Sequence, residues 1–452
     1  MKMSIFRAYD IRGIFGKDLT LEIAENIGKA FGVYIGNKGE VVVGRDCRLS
    51  SPELREAIVN GLTSSGCDVL DIGMVPTPVF YFTVRHYKKC AGVMITGSHN
   101  PPEYNGFKLC KGEHTLYGEE IQELKKIIKR KKFKKGNVNG YVKEQDVTQS
   151  YINFLKKKIK IKRKLKAVVD PGNGTSGPIV RRLFKELGCD IIELNFEPDG
   201  RFLAHFPDPT VDKNLEQLIK AVRDENADLG IAYDGDADRL GLVDDLGNIV
   251  RGDQALILFS REILKKNKRA KIIFEVKCSQ ALIEEIEKNG GIGIMYRTGH
   301  SFIKKKMKEE NALLAGEMSG HFFFRDNYYG YDDGIFASAR MLELLSKTEK
   351  KFSDLVREIP KYFSTPEIRI HCPDNEKFRV VEELTKNFQQ KGYDVITVDG
   401  ARIQFKDGWG LVRASNTEPA LILRFEAKTE ENLGRIENLI KEELRKFLSL
   451  QL

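Results

Sequence analysis

The sequence predicts an α/β protein of several domains. One plan recurs three times: a short apolar strand, a polar or glycine-bearing loop, an amphipathic helix and a second apolar strand. From about residue 361 that plan gives way to extended runs interspersed with helices. At 452 residues the chain is also too long for one core, so three or four domains are expected.

The first copy runs from Val41–Val43 through a helix near 51–65 to Asp68–Ile72. The second starts at Ala167–Val169, passes a helix near 177–187 and returns at Asp190–Leu194. The third begins at Ile272–Phe274, continues through a helix near 279–288 and returns at Ile292–Met295. Such spacing implies mixed or largely parallel sheets with helices packed on them. The starts lie 126 and 105 residues apart, which excludes a short-period solenoid and points to three related mixed α/β domains. After them, Glu367–His371, Val395–Val398 and Ala420–Phe425 read as strands, with helices near 376–390 and 430–448. These form a smaller α+β domain. The expected division is 1–145, 146–248, 249–360 and 361–452.

The net charge of +9 is concentrated in two lysine runs, 125–135 and 156–166, with eight Lys or Arg and no acid in each. Without them the balance turns negative. The first run continues an amphipathic stretch (Ile121, Leu124, Ile127, Ile128), so its lysines read as the wet face of a helix. Aromatic interleaving for base stacking is missing, and no nucleic-acid partner is expected. Seven cysteines without a C-x-x-C give neither a disulfide framework nor a structural zinc site. No apolar run approaches ~20 residues and the start lacks an apolar signal core, so the expectation is a cytoplasmic protein with no membrane partner.

Four loops carry chemistry. The apolar run Ala91–Ile95 leads into Thr96-Gly-Ser-His-Asn-Pro-Pro102, which places Ser98 at the C-terminal lip of a strand. Alone, this loop reads better as a plain turn, and it is the company of the next motifs that changes the reading. The run Leu229–Tyr233 enters Asp234-Gly-Asp-Ala-Asp-Arg239. Its carboxylates at i, i+2 and i+4 on an extended segment suit one hard cation, leaving room for a phosphate oxygen and water. An EF-hand is excluded because its sixth and twelfth positions hold Arg239 and Asp245. Arg239 stands ready to neutralise phosphate charge. In Gly316-Glu-Met-Ser-Gly-His321 the alternation of Glu317, Ser319 and His321 on an extended loop suits a vicinal diol, with a polar turn as the plain alternative. Arg413-Ala-Ser-Asn-Thr-Glu-Pro419 has the composition of a phosphate cradle, or of a hydrogen-bonded turn. A fifth segment, Gly172-Asn-Gly-Thr-Ser-Gly177, mimics a dinucleotide fingerprint with Glu193 about twenty residues on. Pro171 and Pro178 interrupt it, and a tight structural turn is the better reading.

Taken together, Phe6-Arg-Ala-Tyr-Asp-Ile-Arg-Gly13, Thr96–Pro101, Asp234–Arg239, Gly316–His321 and Arg413–Pro419 resemble the α-D-phosphohexomutase family, in particular its phosphomannomutase/phosphoglucomutase branch. The resemblance covers essentially the whole chain. It implies four domains around a central cleft and interconversion of hexose 1-phosphate and hexose 6-phosphate, of mannose, glucose or both. It implies a phosphoserine at Ser98 and one Mg²⁺ held by Asp234, Asp236, Asp238 and the Ser98 phosphate. A hexose 1,6-bisphosphate, intermediate and activator, would reorient in the cleft. Glu317 and Ser319 would grip sugar hydroxyls, and Arg413, Ser415, Asn416 and Thr417 the phosphate that is not reacting. Tyr9, His99, Arg239, Lys277 and His300 match further substrate-binding positions, and Arg12, Lys108 and His321 catalytic ones, with His321 or Lys108 moving the hydroxyl proton. Met318 and Gly97 resemble the mannose/glucose branch more than a phosphoglucosamine mutase. A NAD-dependent oxidoreductase, resting on Gly172–Gly177, and a nucleic-acid-binding protein are the readings from other classes. Which hexose is preferred, and whether the chain is monomer or dimer, the sequence leaves open.

Overall fold

The computed structural model describes residues 5–7, 9–131, 133, 138–415 and 419–448. The chain divides into two compact units, Met1–Ala255 with Ser319–Leu355, and Leu256–Met318 with Val356–Leu452. The division therefore falls inside the third expected domain.

The first unit contains two mixed sheets. In one, the strands Ala91–Ile95, Glu40–Arg45, Asp68–Met74 and Val142–Glu144 run parallel, and Tyr104–Lys111 and Ile11–Ile14 continue the sheet antiparallel. Every residue of Ala91–Ile95 is buried, as an unbroken apolar run between helix-covered faces requires. In the other sheet, Asp190–Glu193, Lys166–Asp170 and Leu229–Tyr233 are parallel, and Leu240–Asp244 folds back antiparallel on Leu229–Tyr233. Both sheets thus end in a connection that must reverse direction at once, residues 96–103 in the first and 234–239 in the second.

In the second unit, Lys271–Glu275 lies between Ile292–Tyr296 and Leu314–Gly316, all parallel. The α+β part is an antiparallel sheet, Phe363–Ser364, Ala420–Ala427, Gly408–Ala414, Ala401–Phe405 and Val395–Ile396, with Ile368–His371 also on Ala420–Ala427. Helices Lys377–Gln390 and Glu430–Arg445 pack on it around Val380, Leu384, Leu423 and Ile440. Buried Arg402 stacks 3.8 Å from the Trp409 ring and donates to Val276 O and Cys278 O, tying this sheet to the one before it.

The first lysine run ends an amphipathic helix, and part of the second is paired with acids. Helix Glu119–Arg130 buries Ile121, Leu124 and Ile128. In the second run Lys156, Lys164 and Lys166 pair with Glu186, Asp190 and Glu225, and Arg163 donates to Thr348 O. No disulfide forms among the seven cysteines, and no helix among the described residues is long and apolar enough to cross a membrane.

Helix Gly334–Ser346 is anchored in the first unit through its cap. Asp333 accepts from Phe336 N at 2.7 Å, and its buried carboxylate also accepts from Tyr151 Oη and Tyr328 Oη. Burial pushes the Asp333 carboxyl up to about 6. The folded protein therefore holds this proton more tightly than the unfolded chain does. The group's contribution to stability is fullest below pH ~4 and is lost as pH rises through ~6, a change on the order of 3 kcal/mol. Asp333→Asn is expected to flatten the fall in unfolding free energy between pH 4 and 6, measured by urea titration at each pH.

Candidate active site

The strand Ala91–Ile95 delivers Ser98 to the sheet's C-terminal lip with φ at +49°, in the left-handed region. That conformation costs a non-glycine residue about 1–2 kcal/mol, so its surroundings must hold it. Ser98 N donates to Thr96 Oγ1 at 2.8 Å, and Asp46 Oδ2 accepts from Gly97 N at 3.0 Å. Ser98 Oγ, buried, donates to Asp234 Oδ2 at 2.7 Å, and His99 Nδ1 lies 3.1 Å from it. Burial and the neighbouring Arg239 and Arg12 charges hold the His99 imidazole well below the ordinary histidine range.

Residues 234–239 are a tight turn and not the extended segment expected, because Tyr233 pairs with Leu240 and the chain must reverse between them. Ala237, at φ +58°, makes the reversal. The alternating carboxylates nevertheless converge: one oxygen each of Asp234, Asp236 and Asp238 lie within 4.8 Å of one another, all buried. Asp236 Oδ1 and Asp238 Oδ1 have no hydrogen-bond partner among the described residues. Burial, Asp238 and Asp236 together push the Asp234 carboxyl well up. Buried carboxylates that crowd one another and present oxygens without donors fit one hard divalent cation.

Thr77 Oγ1 donates to Asp236 Oδ2 at 2.6 Å, and Lys108 Nζ donates to the same oxygen at 2.7 Å and to Asp238. Burial works against the Lys108 charge, but Asp236 and Asp238 outweigh it and hold the ammonium well above the ordinary lysine range. Arg239 donates from N to Asp234 Oδ1 and from Nε to His321 Nε2, at 3.1 and 3.2 Å. His321 Nδ1 then carries the ring proton and faces Asp332 and Asp238 at 3.5 and 3.7 Å. Arg12 Nη1 donates to Asn100 Oδ1, and its Nη2 to Asp10. Tyr9 sits in the bend just before the strand Ile11–Ile14.

The glycine segment is a support. A Cβ on Gly174 would lie 2.7 Å from Gly235 O, which also accepts from Thr175 N and Oγ1. A Cβ on Gly235 would lie 2.7 Å from Ser98 O, so the serine and carboxylate loops meet backbone to backbone. Pro178 falls in the first turn of helix Gly177–Glu186.

The 316–321 segment is also not extended. Met318–Ser319 form a turn and Gly320 stands at φ +88°, where a Cβ would be 2.4 Å from Leu240 O. Alternation therefore does not align Glu317, Ser319 and His321; Glu317 belongs to the second unit, whose first stretch ends at Met318, and Ser319 reopens the first.

In the second unit, acids fix the cations. Lys277 Nζ donates to Glu367 at 2.8 Å and lies 3.7 Å from Glu275. Glu275 also accepts from Thr298 Oγ1 and Met318 N. Asp399 Oδ2 accepts from both Thr298 N and Arg413 Nε. Gly299 N donates to Glu317 at 2.6 Å, next to His300 at the start of helix His300–Glu309. Arg424 Nη1 donates to Lys277 O. Ser415 is buried and its N donates to Ala420 O; Asn416 and Thr417 lie outside the described residues. Asp46, Arg48, Thr77, Glu275, Asp332, Glu367 and Asp399 were not singled out from the sequence. Only Arg45-Asp-Cys-Arg48, a charged cluster ending the strand that begins at Val41, carried a signal there.

Family models of phosphoglucomutase/phosphomannomutase match along the chain: α/β/α domain I at residues 3–135, domain II at 149–247, domain III at 251–363 and the C-terminal domain at 367–443. A phosphomannomutase/phosphoglucomutase of Pseudomonas aeruginosa is 47% identical over 98% of this chain and 96% of its own. A phosphoglucomutase of Neisseria gonorrhoeae is 47% identical over 97% and 96%. A solved structure of a Burkholderia thailandensis phosphoglucomutase/phosphomannomutase family protein superposes with a TM-score of 0.93 at 42% identity, over 99% of this chain and 98% of that one. Identity at this level over nearly the full length of both partners reflects common descent, and the chain belongs to the phosphoglucomutase/phosphomannomutase family.

Proposed function

We propose that this chain is a mutase interconverting the 1- and 6-phosphates of glucose and mannose, with phosphorylated Ser98 as donor and acceptor of the phosphoryl group. The observation that carries the proposal is Ser98 itself. Its hydroxyl is buried and bonded at 2.7 Å to one of three carboxylates that lack donors for two of their oxygens. The family relatives bear the names of both mutase activities.

In the forward sense, the bond from phosphorus to Ser98 Oγ breaks as one forms to the free 6-hydroxyl of a hexose 1-phosphate. The hydroxyl proton leaves, and a 1,6-bisphosphate results. After reorientation the 1-phosphoryl group returns to Ser98 Oγ, releasing hexose 6-phosphate. Such transfers need alignment and charge neutralisation more than a strong nucleophile. Asp234, Asp236 and Asp238, with an oxygen on Ser98, would hold Mg²⁺, which would supply Lewis-acid neutralisation of the transferring group. Lys108 fixes the carboxylates and adds positive charge, Arg12 and Arg239 face the reacting phosphate, and His321 takes the hydroxyl proton on Nε2 once Arg239 turns from that nitrogen to the phosphate. Glu317 and Ser319 accept sugar hydroxyls. Lys277, Arg413 and Ser415, with Asn416 and Thr417, hold the second phosphate, and Tyr9, His99 and His300 complete the substrate contacts. Hexose phosphates do not cross a bilayer unaided, and the reading places the enzyme in the cytoplasm.

The isolated protein is expected to carry one phosphoryl group that maps by mass spectrometry to Ser98. Ser98→Ala should lower turnover of glucose 1-phosphate and mannose 1-phosphate, assayed side by side with catalytic glucose 1,6-bisphosphate, by at least about a thousandfold, or ~4 kcal/mol in the barrier. Mg²⁺ at a hundredfold its Kd should stabilise the protein by about 2.7 kcal/mol. That appears as a Tm rise that chelation reverses and that Asp238→Asn largely removes. Arg413→Ala should raise KM for either hexose phosphate by roughly 10- to 100-fold in steady-state kinetics, the loss of a charged hydrogen-bond donor to phosphate.

A further inference from the structure

We infer that Arg48 is a positioning residue for phosphoryl transfer, its buried guanidinium holding the main chain of residues 98–104 so that Ser98 keeps its pose against the carboxylates. The inference rests on the reading of Ser98 as phosphoryl carrier. The Arg48 side chain is 0% exposed and pairs with Asp46, itself 2% exposed. A guanidinium has five N–H donors, and here each has an acceptor. Nε donates to Asp46 Oδ2 at 3.1 Å. Nη1 donates to Pro101 O and Tyr104 O at 2.5 and 3.0 Å, and Nη2 to Ser98 O and Asn100 O at 2.8 and 2.6 Å. Four carbonyls of one loop thus converge on a single planar cation.

The surroundings fit that cation closely. A Cβ on Gly97 would stand 2.4 Å from Arg48 Nε, so glycine is required beside it. Asp46 accepts in addition from Arg48 N, Ser51 Oγ and Gly97 N, which leaves the counter-ion fully bonded. On the outer side the Phe202 ring lies 5.0 Å from the guanidinium carbon, and a Cβ on Gly200 would lie 2.5 Å from Arg48 Cα. A buried ion pair is weak evidence for stability, because desolvation offsets attraction. What this one provides is geometry. Ser98 sits in a left-handed conformation that its own sequence disfavours, and its carbonyl is one of the four in the cage. A lysine keeps the charge but has three donors and no plane, so it cannot satisfy that cage. Displacement of a reacting group by about 1 Å is enough to lower a rate about 100-fold.

The test is Arg48→Lys in the full-length, Mg²⁺-loaded protein. The expected result is a kcat lower by about 100-fold, KM for glucose 1-phosphate within about threefold of wild type, and faster amide exchange confined to residues 97–105. A kcat within twofold of wild type overturns the inference, as does a loss of kcat that comes with exchange raised throughout the protein. Should Arg48→Lys fail to fold, Phe202→Leu removes the flat face over the guanidinium and leaves the ion pair. A several-fold fall in kcat with exchange raised at 97–105 supports the inference, and unchanged kcat and exchange overturn it. Wild-type protein without phosphate on Ser98 overturns the carrier reading and this inference with it. Phosphorylated wild type beside an equally fast Arg48→Lys overturns the positioning role alone.

Discussion

Asp234, Asp236 and Asp238 lie out of water with oxygens within 4.8 Å of one another, and much of the first unit answers the cost of that arrangement. Burial and mutual repulsion both disfavour three ionised groups there. The chain supplies partial compensation from segments far apart in sequence. Lys108 comes from the strand Tyr104–Lys111, Thr77 from the start of the helix Thr77–His86, and the Ser98 hydroxyl from the loop between two strands. Each comes from the first sheet or a helix packed on it, whereas the carboxylates come from the second. The cluster therefore keeps the two sheets of the first unit in one register, and the contact of Gly235 with the Ser98 main chain does the same at closer range. Stability and reactivity draw on the same groups.

The second unit uses charge in the opposite sense. There buried cations are held in place by acids. Asp399 grips Arg413 and the Thr298 N–H, while Glu275 and Glu367 flank Lys277. A long lysine or arginine loses rotamer entropy when it must meet a phosphate in one geometry. An acid partner that fixes the stem beforehand removes part of that cost, and under the proposed function a phosphate would compete only for the donors that remain.

Much of this was legible because strand runs and alternating carboxylates are local patterns. The βαβ plan around Val41, Ala167 and Ile272 needs only a window of thirty residues, and the corresponding strands stand at Glu40–Arg45, Lys166–Asp170 and Lys271–Glu275. The shape of the loops was not legible. An extended chain was the natural inference for 234–239 and for 316–321, yet the pairing of Tyr233 with Leu240 bends the first, and a turn ending in Gly320 at φ +88° bends the second. The backbone route of a loop is decided by which strands pair at its ends, a long-range fact. Arg48, Thr77 and Asp332 escaped notice for the same reason: their importance lies in partners 50, 159 and 11 residues away. The glycines at 172–177 imitate a nucleotide loop because a close backbone approach needs glycine whatever approaches, and here that is Gly235.

On the proposed reading, the Ser98–Asp234 hydrogen bond would link the metal site to the phosphate. As a hydroxyl, Ser98 Oγ donates its proton to a carboxylate 2.7 Å away and relieves part of the crowding among the three acids. Phosphorylation removes that donor and puts acceptor-only oxygens carrying about −1.5 to −2 charge in its place. A favourable contact would become a repulsive one beside three buried carboxylates. Lys108 cannot make up the difference, since its ammonium is already committed to Asp236 and Asp238. A divalent cation held by Asp234, Asp236 and Asp238 would reverse the sign again by supplying positive charge. Phosphate on Ser98 and a cation among the carboxylates would then favour each other, and by linkage the coupling would be the same read from either side. On the proposed reading, the arrangement that would poise Ser98 to give up its phosphate is also the one that would make the phosphate tolerable.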